Sequence, residues 1–278
     1  MNATQAIHGL LSAALKSGNA HILGEALELS PATSGLLALS PDQVHLLPAA
    51  DATLIGIAVG LAMSGARPVI ELAGPDAVWG ILQQLGQEAA LLTGEFAGSV
   101  IIRVPLAPGE SAPVAALAAL PGVTLAAPSS GAQAAGILAA ALKGRGTVVI
   151  LEAREQLREG VAAVPDVRLG EAEVVRAGEH VSVLAWGRGV AAALSAAETL
   201  SDEGIEAEVI DLRTINPLDT ATIAASVNKT GRPVLAGCPE SVLSAAVRAA
   251  FLRLESPPEI ASADEAEIIR AVRASVSY

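Results

Sequence analysis

The sequence has 278 residues, enough for two domains of ordinary size, and 52% of them are hydrophobic. Aromatics make up only 2%, so the core has to be built from Ala, Val, Leu and Ile, and few flat rings remain for stacking on bases or cofactors. Lys and Arg number 17 against 29 acids, a net charge of −12 with no basic cluster, which excludes the usual electrostatic basis for nucleic-acid binding and disfavours anionic membranes.

In chain order, a helix is predicted over about 4–17, followed by a short strand, "HILGEA" (21–26). A helix begins near Asp51 in "DATLIGIAVGLAMSGA" and leads into a strand, "RPVIEL" (67–72). Helical spacing returns in "AVWGILQQLGQEAALL" (77–92), where Trp79 reads as a core residue. Strands follow at "GSVIIRVPL" (98–106) and "GVTLAAP" (122–128). The segment "SGAQAAGILAAALKG" (130–144) has a Ser start and a Gly stop around a helix pattern, and "TVVILEA" (147–153) is strongly β-branched. Continuous apolar strands separated by helices imply a parallel sheet covered on both faces.

The pattern weakens between Glu152 and Glu173, where charge, Pro and Gly indicate a connector. A second block then alternates strands at 180–186, 206–212 and 232–237 with helices at about 189–203, 219–229, 241–254 and 264–275. The fold expected is α/β with two domains, each a mostly parallel sheet flanked by helices. The boundaries are 1–155, a linker over 156–175, and 176–278.

No stretch looks like a membrane span, and "MNATQAIHGLLSAALKSG" is no secretory signal, so a cytoplasmic protein is expected. The sequence contains no GxGxxG after a strand, no GxxxxGK[ST], no HExxH and no GxSxG. His8, His21, His45 and His180 lack metal-ligand spacing and read as strand or helix edge residues. The single cysteine, Cys238, excludes an intramolecular disulfide and a cysteine metal cluster, and reads as a small packing residue.

One segment carries more. "GIEAEVIDLRTINPLDTATIAASVNKTGRPVLAG" (204–237) resembles the C-terminal domain of the β subunits of thiamine diphosphate-dependent 2-oxo-acid dehydrogenases, the pyruvate and branched-chain types of the transketolase-like superfamily. The resemblance extends to "LPGVTLAAPSSGAQAAGILAAAL" (120–142), "VVILEARE" (148–155) and "GIAVGLAMSGARPVIE" (56–71), and so covers nearly the whole chain. It implies a pyrimidine-binding domain followed by a transketolase C-terminal domain, with the cofactor between subunits. It also implies that the α-type subunit grips the diphosphate and magnesium through a "GDG" motif, which this chain lacks. Thiamine diphosphate with magnesium is therefore expected only at an interface with an α-type subunit, or not at all.

In the family the β subunit places a glutamate against the aminopyrimidine ring. An ungapped match from Pro48 to Glu71 puts Asp51 at that position, one methylene shorter. Asp51 also precedes an apolar helical run, where an N-cap belongs, and the two roles are compatible. The aromatic that packs beside the pyrimidine falls at Ala77, which offers no ring. The family's histidine-containing loop corresponds here to "LAPGESAPVAALAALPG", which has no histidine. Cys238 stands at a family glutamate, and the trimmed C-terminal end weakens the expectation of docking on an acyltransferase core.

Three readings stay open at this stage. One is an active β-type subunit that uses Asp51. Another is a non-catalytic structural or regulatory relative that keeps the dimer scaffold. The third, an unrelated small-molecule binding module, has little specific support. The apolar helices starting at Asp51 and Ala77 are expected to be buried, in part against a partner that is either an α-type subunit or a second copy.

Overall fold

The computed structural model describes the chain apart from residues 26, 49, 50 and 94–97, and apart from the side chains of residues 51, 89–93 and 249–251. The chain forms two compact units, Met1–Leu169 and Gly170–Tyr278.

The first unit begins with α1 (Ala3–Lys16), where Asn2 accepts from the backbone of Gln5 and the Gln5 side chain accepts from the backbone of Asn2. This reciprocal cap satisfies two backbone donors that the first helical turn leaves free. The chain continues through β1 (Ala20–Gly24), α2 (Leu36–Leu39), β2 (Val44–Leu46), α3 (Asp51–Met63) and β3 (Arg67–Glu71). It then forms α4 (Ala77–Thr93), β4 (Ser99–Leu106), α5 (Val114–Ala118), β5 (Val123–Ala126), α6 (Gly131–Lys143) and β6 (Gly146–Ala153).

The six strands of this unit lie in the order β5-β6-β4-β3-β1-β2, and every pairing between them is parallel. All eight residues of β6 are buried, as are the first six of β4, because helices cover both faces of the sheet. On one face α1 and α6 pack together, and Ile7, Leu11, Leu15, Ile137 and Leu138 join one apolar cluster with the strands. On the other face α3 packs against α4 and β3. A left-handed turn at Gly65 (φ +93°) lets the chain reverse from α3 into β3.

The strand register also brings charge into this core. Arg103 on β4 stands opposite Glu71 on β3 and opposite Ile150 on β6. Glu152 lies two residues beyond Ile150 and so shares its face. Arg103 is only 2% exposed, yet it donates to Glu71 at 2.7 Å and to both oxygens of Glu152 at 3.1 and 2.7 Å. Burial alone would lower the basicity of the Arg103 guanidinium, but Glu152 and then Glu71 outweigh it and hold the group protonated.

The second unit contains β7 (Glu173–Arg176), β8 (Val181–Ala185), α7 (Gly189–Ser201), β9 (Ala207–Asp211), β10 (Thr214–Asn216) and α8 (Thr220–Thr230). It closes with β11 (Pro233–Ala236), α9 (Glu240–Ala250), β12 (Glu259–Ala261) and α10 (Glu265–Val276). Its sheet order is β12-β11-β8-β9-β7, parallel throughout except for β7, which runs antiparallel to β9. α7 and α10 pack on one another over Val183, Leu200 and Ile268, and α8 packs on α9. Both sheets are thus mostly parallel and flanked by helices. Strand β7 starts inside the segment 156–175 that reads as a linker in the sequence. Among the described residues no helix is long and apolar enough to cross a membrane.

Candidate functional site

The two positions that the resemblance singles out are both first residues of helices. Asp51 opens α3 and Ala77 opens α4. The helices pack together, and an open depression of about 470 Å³ lies between them, lined by Ala52, Thr53, Gly56 and Ile57 of α3 and Gln84 of α4. The small residues of α3 leave this space because Gly and Ala carry no bulk toward α4. The side chain of Asp51 lies outside the described residues, so the structure fixes only its place at the start of the helix. Ala77 is half-buried, and its side chain is a single methyl group.

Trp79 corrects a sequence expectation. It is 65% exposed and is no part of the core. Ile57 and Met63 of α3 are exposed as well, so the α3–α4 layer is not buried within the chain as its all-round apolar character suggests.

One residue of this face escapes sequence reasoning. Gln84 donates to Glu88 one turn further along α4, and the other oxygen of Glu88 is buried without a hydrogen-bond partner among the described residues. Burial raises the Glu88 carboxyl above its ordinary range. The spacing i, i+4 on a helix was the available signal, but such pairs are common on any helix surface.

The connection from β4 to β5 has a local order of its own. Glu110 accepts from the backbone of Ala107 at 2.7 Å, and the chain then enters the short helix α5. It contains no imidazole, and the four histidines lie elsewhere. His8 of α1 is bonded to the carbonyl of Ala32 at 3.2 Å. His21 and His45, on the adjacent strands β1 and β2, stack with ring centroids 5.4 Å apart and share a 3.1 Å contact between Nδ1 and Nε2. Burial first, and then the His45 charge, lower the pKa of His21. His180 accepts from the backbone of Glu206 at 2.8 Å.

Cys238 donates to the carbonyl of Leu184 at 3.1 Å. Burial pushes its thiol well up, and Asp211 adds to the shift, which favours the neutral thiol over the thiolate. Among the described residues no group of three or more His, Cys, Asp or Glu is placed to hold a metal ion. A thiamine diphosphate molecule would need a stacking face for its pyrimidine and ligands for a diphosphate-bound metal. Among the described residues there is no such metal-binding group, and Ala77 supplies no ring, so the described residues by themselves do not fit the whole cofactor.

The run "VIDLRTINPLD" proves to be architectural. Asp211 accepts from the backbone of Arg213 at 2.9 Å, while Arg213 takes a left-handed conformation (φ 54°) and its carbonyl receives the indole N–H of Trp186 at 3.1 Å. Thr214 donates to the carbonyl of Pro217 at 2.9 Å and accepts from Gly170 at 3.1 Å. Asp219 caps α8 by accepting from the backbone of Thr222 at 3.0 Å and from its hydroxyl at 2.7 Å. It also accepts from Ala172 at 3.0 Å. Burial opposes ionisation of Asp219, but the hydrogen bonds from Thr222 and then Ala172 outweigh it and hold the carboxyl below its usual range.

Comparison with known proteins agrees with this architecture. Residues 2–160 match the transketolase pyrimidine-binding domain family, and residues 170–265 match the transketolase C-terminal domain family. The pyruvate dehydrogenase E1 component subunit beta of Bacillus subtilis (strain 168) is 33% identical, over 92% of this chain and 88% of that protein. The 2-oxoisovalerate dehydrogenase subunit beta of Chaetomium thermophilum is 33% identical over 92% of this chain and 62% of its own length. A solved structure described as a split-gene transketolase, inactive beta4 tetramer, superposes with a TM-score of 0.82 at 22% identity, covering 100% of this chain and 98% of that one. That structural likeness is one of fold. With both domain families matched in order and relatives a third identical along most of their length, the chain belongs to the β subunits of the thiamine diphosphate-dependent 2-oxo-acid dehydrogenases, within the transketolase-like superfamily.

Proposed function

We propose that this chain is a β-type subunit of the 2-oxo-acid dehydrogenase class whose own share of the active site is eroded, so that it serves mainly as the scaffold half of an assembly. The observation that carries this reading is the β4–β5 connection. It contains Ala, Pro, Gly, Ser and Glu but no imidazole, and such a segment cannot relay a proton near neutral pH as a histidine does. Ala77 adds to it by leaving the pyrimidine without a stacking face. Asp51, at the first residue of α3, is the remaining candidate for contact with the aminopyrimidine, and an acidic residue in the first turn also suits the helix dipole.

The partner in this reading is an α-type subunit, or a second copy in a dimer, seated on the α3–α4 layer. The exposed Ile57, Met63 and Trp79 support that placement, since a covered apolar face is the ordinary reason to keep such residues.

Calorimetric titration of thiamine diphosphate and magnesium tests the reading, with and without an α-type subunit, together with assays on pyruvate and branched-chain 2-oxo acids. No saturable binding to the chain alone is expected. With the partner, no decarboxylation above background is expected, and Asp51→Glu alone does not restore it. Measurable decarboxylation by the unmodified chain with its partner would instead establish an active β subunit, and its loss in Asp51→Asn would assign the contact to Asp51.

A further inference from the structure

In open parallel sheets, ligands bind outside the carboxyl ends of the strands, where neighbouring strands send their connections in opposite directions. Here that point lies between β1 and β3. The connection after β1 leads to β2 on one side, and the connection after β3 leads to β4 on the other. A cavity of about 420 Å³ sits there, on the face of the sheet that carries α1, and it is built wholly from the first unit. Its size is that of a small-molecule site. Gly24 at the end of β1 is required for the close approach, because a Cβ there would lie 2.6 Å from the carbonyl oxygen of Glu71.

The charges around this cavity differ between its floor and its rim. On the floor is Glu71, 7% exposed, one end of the Glu71–Arg103–Glu152 chain. Two carboxylates against one guanidinium leave that buried chain formally short of one positive charge, which is costly unless another donor or cation supplies it. At the rim stand Arg154 and Arg158, both exposed. Neither makes an ion pair among the described residues. Arg154 reaches across from the end of β6 to donate to the carbonyl of Ala73 at 3.3 Å, only two residues beyond Glu71. Cationic and anionic groups thus face the same cavity at short range. Leu29, Ala32 and Pro105 give it apolar walls.

We infer that this cavity is a binding site for a small zwitterion with an aliphatic body, an α-amino acid in chemical class. Its ammonium group would sit against Glu71 and make up the missing positive charge, while its carboxylate would meet Arg154 and Arg158. A simple anion meets repulsion at Glu71, and a simple amine meets it at the two arginines, so selection works by exclusion as well as by attraction. The site lies on the opposite face of the sheet from α3 and α4, and the inference stands whether or not the chain takes part in oxo-acid chemistry.

The test is calorimetric titration of the full chain with L-leucine, alongside 4-methylpentanoate and 3-methylbutylamine, which keep the carbon skeleton but each lack one charge. L-leucine should saturate, with both single-charge analogues weaker by about tenfold or more. The double variant Arg154→Gln with Arg158→Gln, on exposed positions that leave the core intact, should weaken L-leucine by about tenfold or more. Glu71→Gln should do the same. If that variant misfolds by circular dichroism, the arginine pair decides the matter alone. The inference is overturned if L-leucine fails to saturate by about 20 mM, if either analogue binds as tightly, or if the arginine variant binds L-leucine unchanged.

Discussion

In the first unit a guanidinium is buried between two carboxylates, Arg103 between Glu71 and Glu152, whereas the second unit buries a cluster of hydroxyls. Ser182 of β8 lies 2.6 Å from the Ser226 hydroxyl and 2.7 Å from that of Thr230, both on α8. A hydroxyl both donates and accepts, so three of them satisfy one another without charge, and little is lost by taking them out of water. The ionic chain is a far more expensive thing to bury, because each ion gives up its hydration. It also sits at the carboxyl ends of its strands beside a cavity, while Ser182 sits near the amino end of β8 against packed helix. The contrast separates a polar group kept to join a helix to a sheet from one placed where chemistry is within reach.

Removing the guanidinium should be the most damaging change. Arg103→Leu leaves two buried carboxylates facing each other, and a loss of about 3–5 kcal/mol is expected in urea unfolding. A smaller loss, near that of an ordinary surface change, would mean that the two acids take up a proton or find water. Ser182→Ala takes a partner from two hydroxyls instead of from two charges, Thr230 still accepting from the backbone of Arg232 at 3.3 Å, and about 1–3 kcal/mol is expected. Equal losses for the two variants would erase the distinction between the clusters.

Asp219→Ala removes the cap of α8 and should cost about 1 kcal/mol, with a pH signature. The folded-state pKa of Asp219 is depressed, so its contribution is present above the unfolded pKa and is lost as pH falls through the folded value. The gap between wild type and variant in unfolding midpoint should therefore narrow on acidification and stay wide at neutral pH. The smallest effect is expected at Trp79. Trp79→Ala should leave the stability of the isolated chain within about 0.5 kcal/mol, since so exposed a side chain packs on little. Its effect should appear only in association, measured by light scattering of the chain with and without an α-type subunit.

Much of this architecture is legible in the sequence, for physical reasons that also mark where legibility ends. β4 and β6 are long, continuous and apolar because both their faces are covered, and it is their enrichment in Val and Ile, with Gly at their edges, that marks them as strands where periodicity cannot. α2, β2 and β12 span only three or four residues, too few to show any period. β7 is an exposed edge strand, and its Glu and Arg read as connector. Trp79 reads as core although it is exposed, because α4 is apolar on nearly every side and its pattern does not reveal which side meets the sheet. The start of α3 near Asp51 is visible in the apolar run that follows it, while the ionic chain is not. Its members are 32 and 49 residues apart, and only the strand order β6-β4-β3 brings them together. His21 and His45 met for the same reason, through the pairing of β1 with β2.

The scarcity of aromatic rings has a practical side. The chain contains two tryptophans, one in each unit, and they stand in opposite surroundings. Trp186 is buried, with its indole N–H on the carbonyl of Arg213, while Trp79 is open to solvent. Intrinsic fluorescence therefore divides into two separable signals. A red shift on denaturation reports the opening of the second unit, and a blue shift on assembly reports whatever comes to lie over α4. The protein carries its own optical labels for the two events, folding and association.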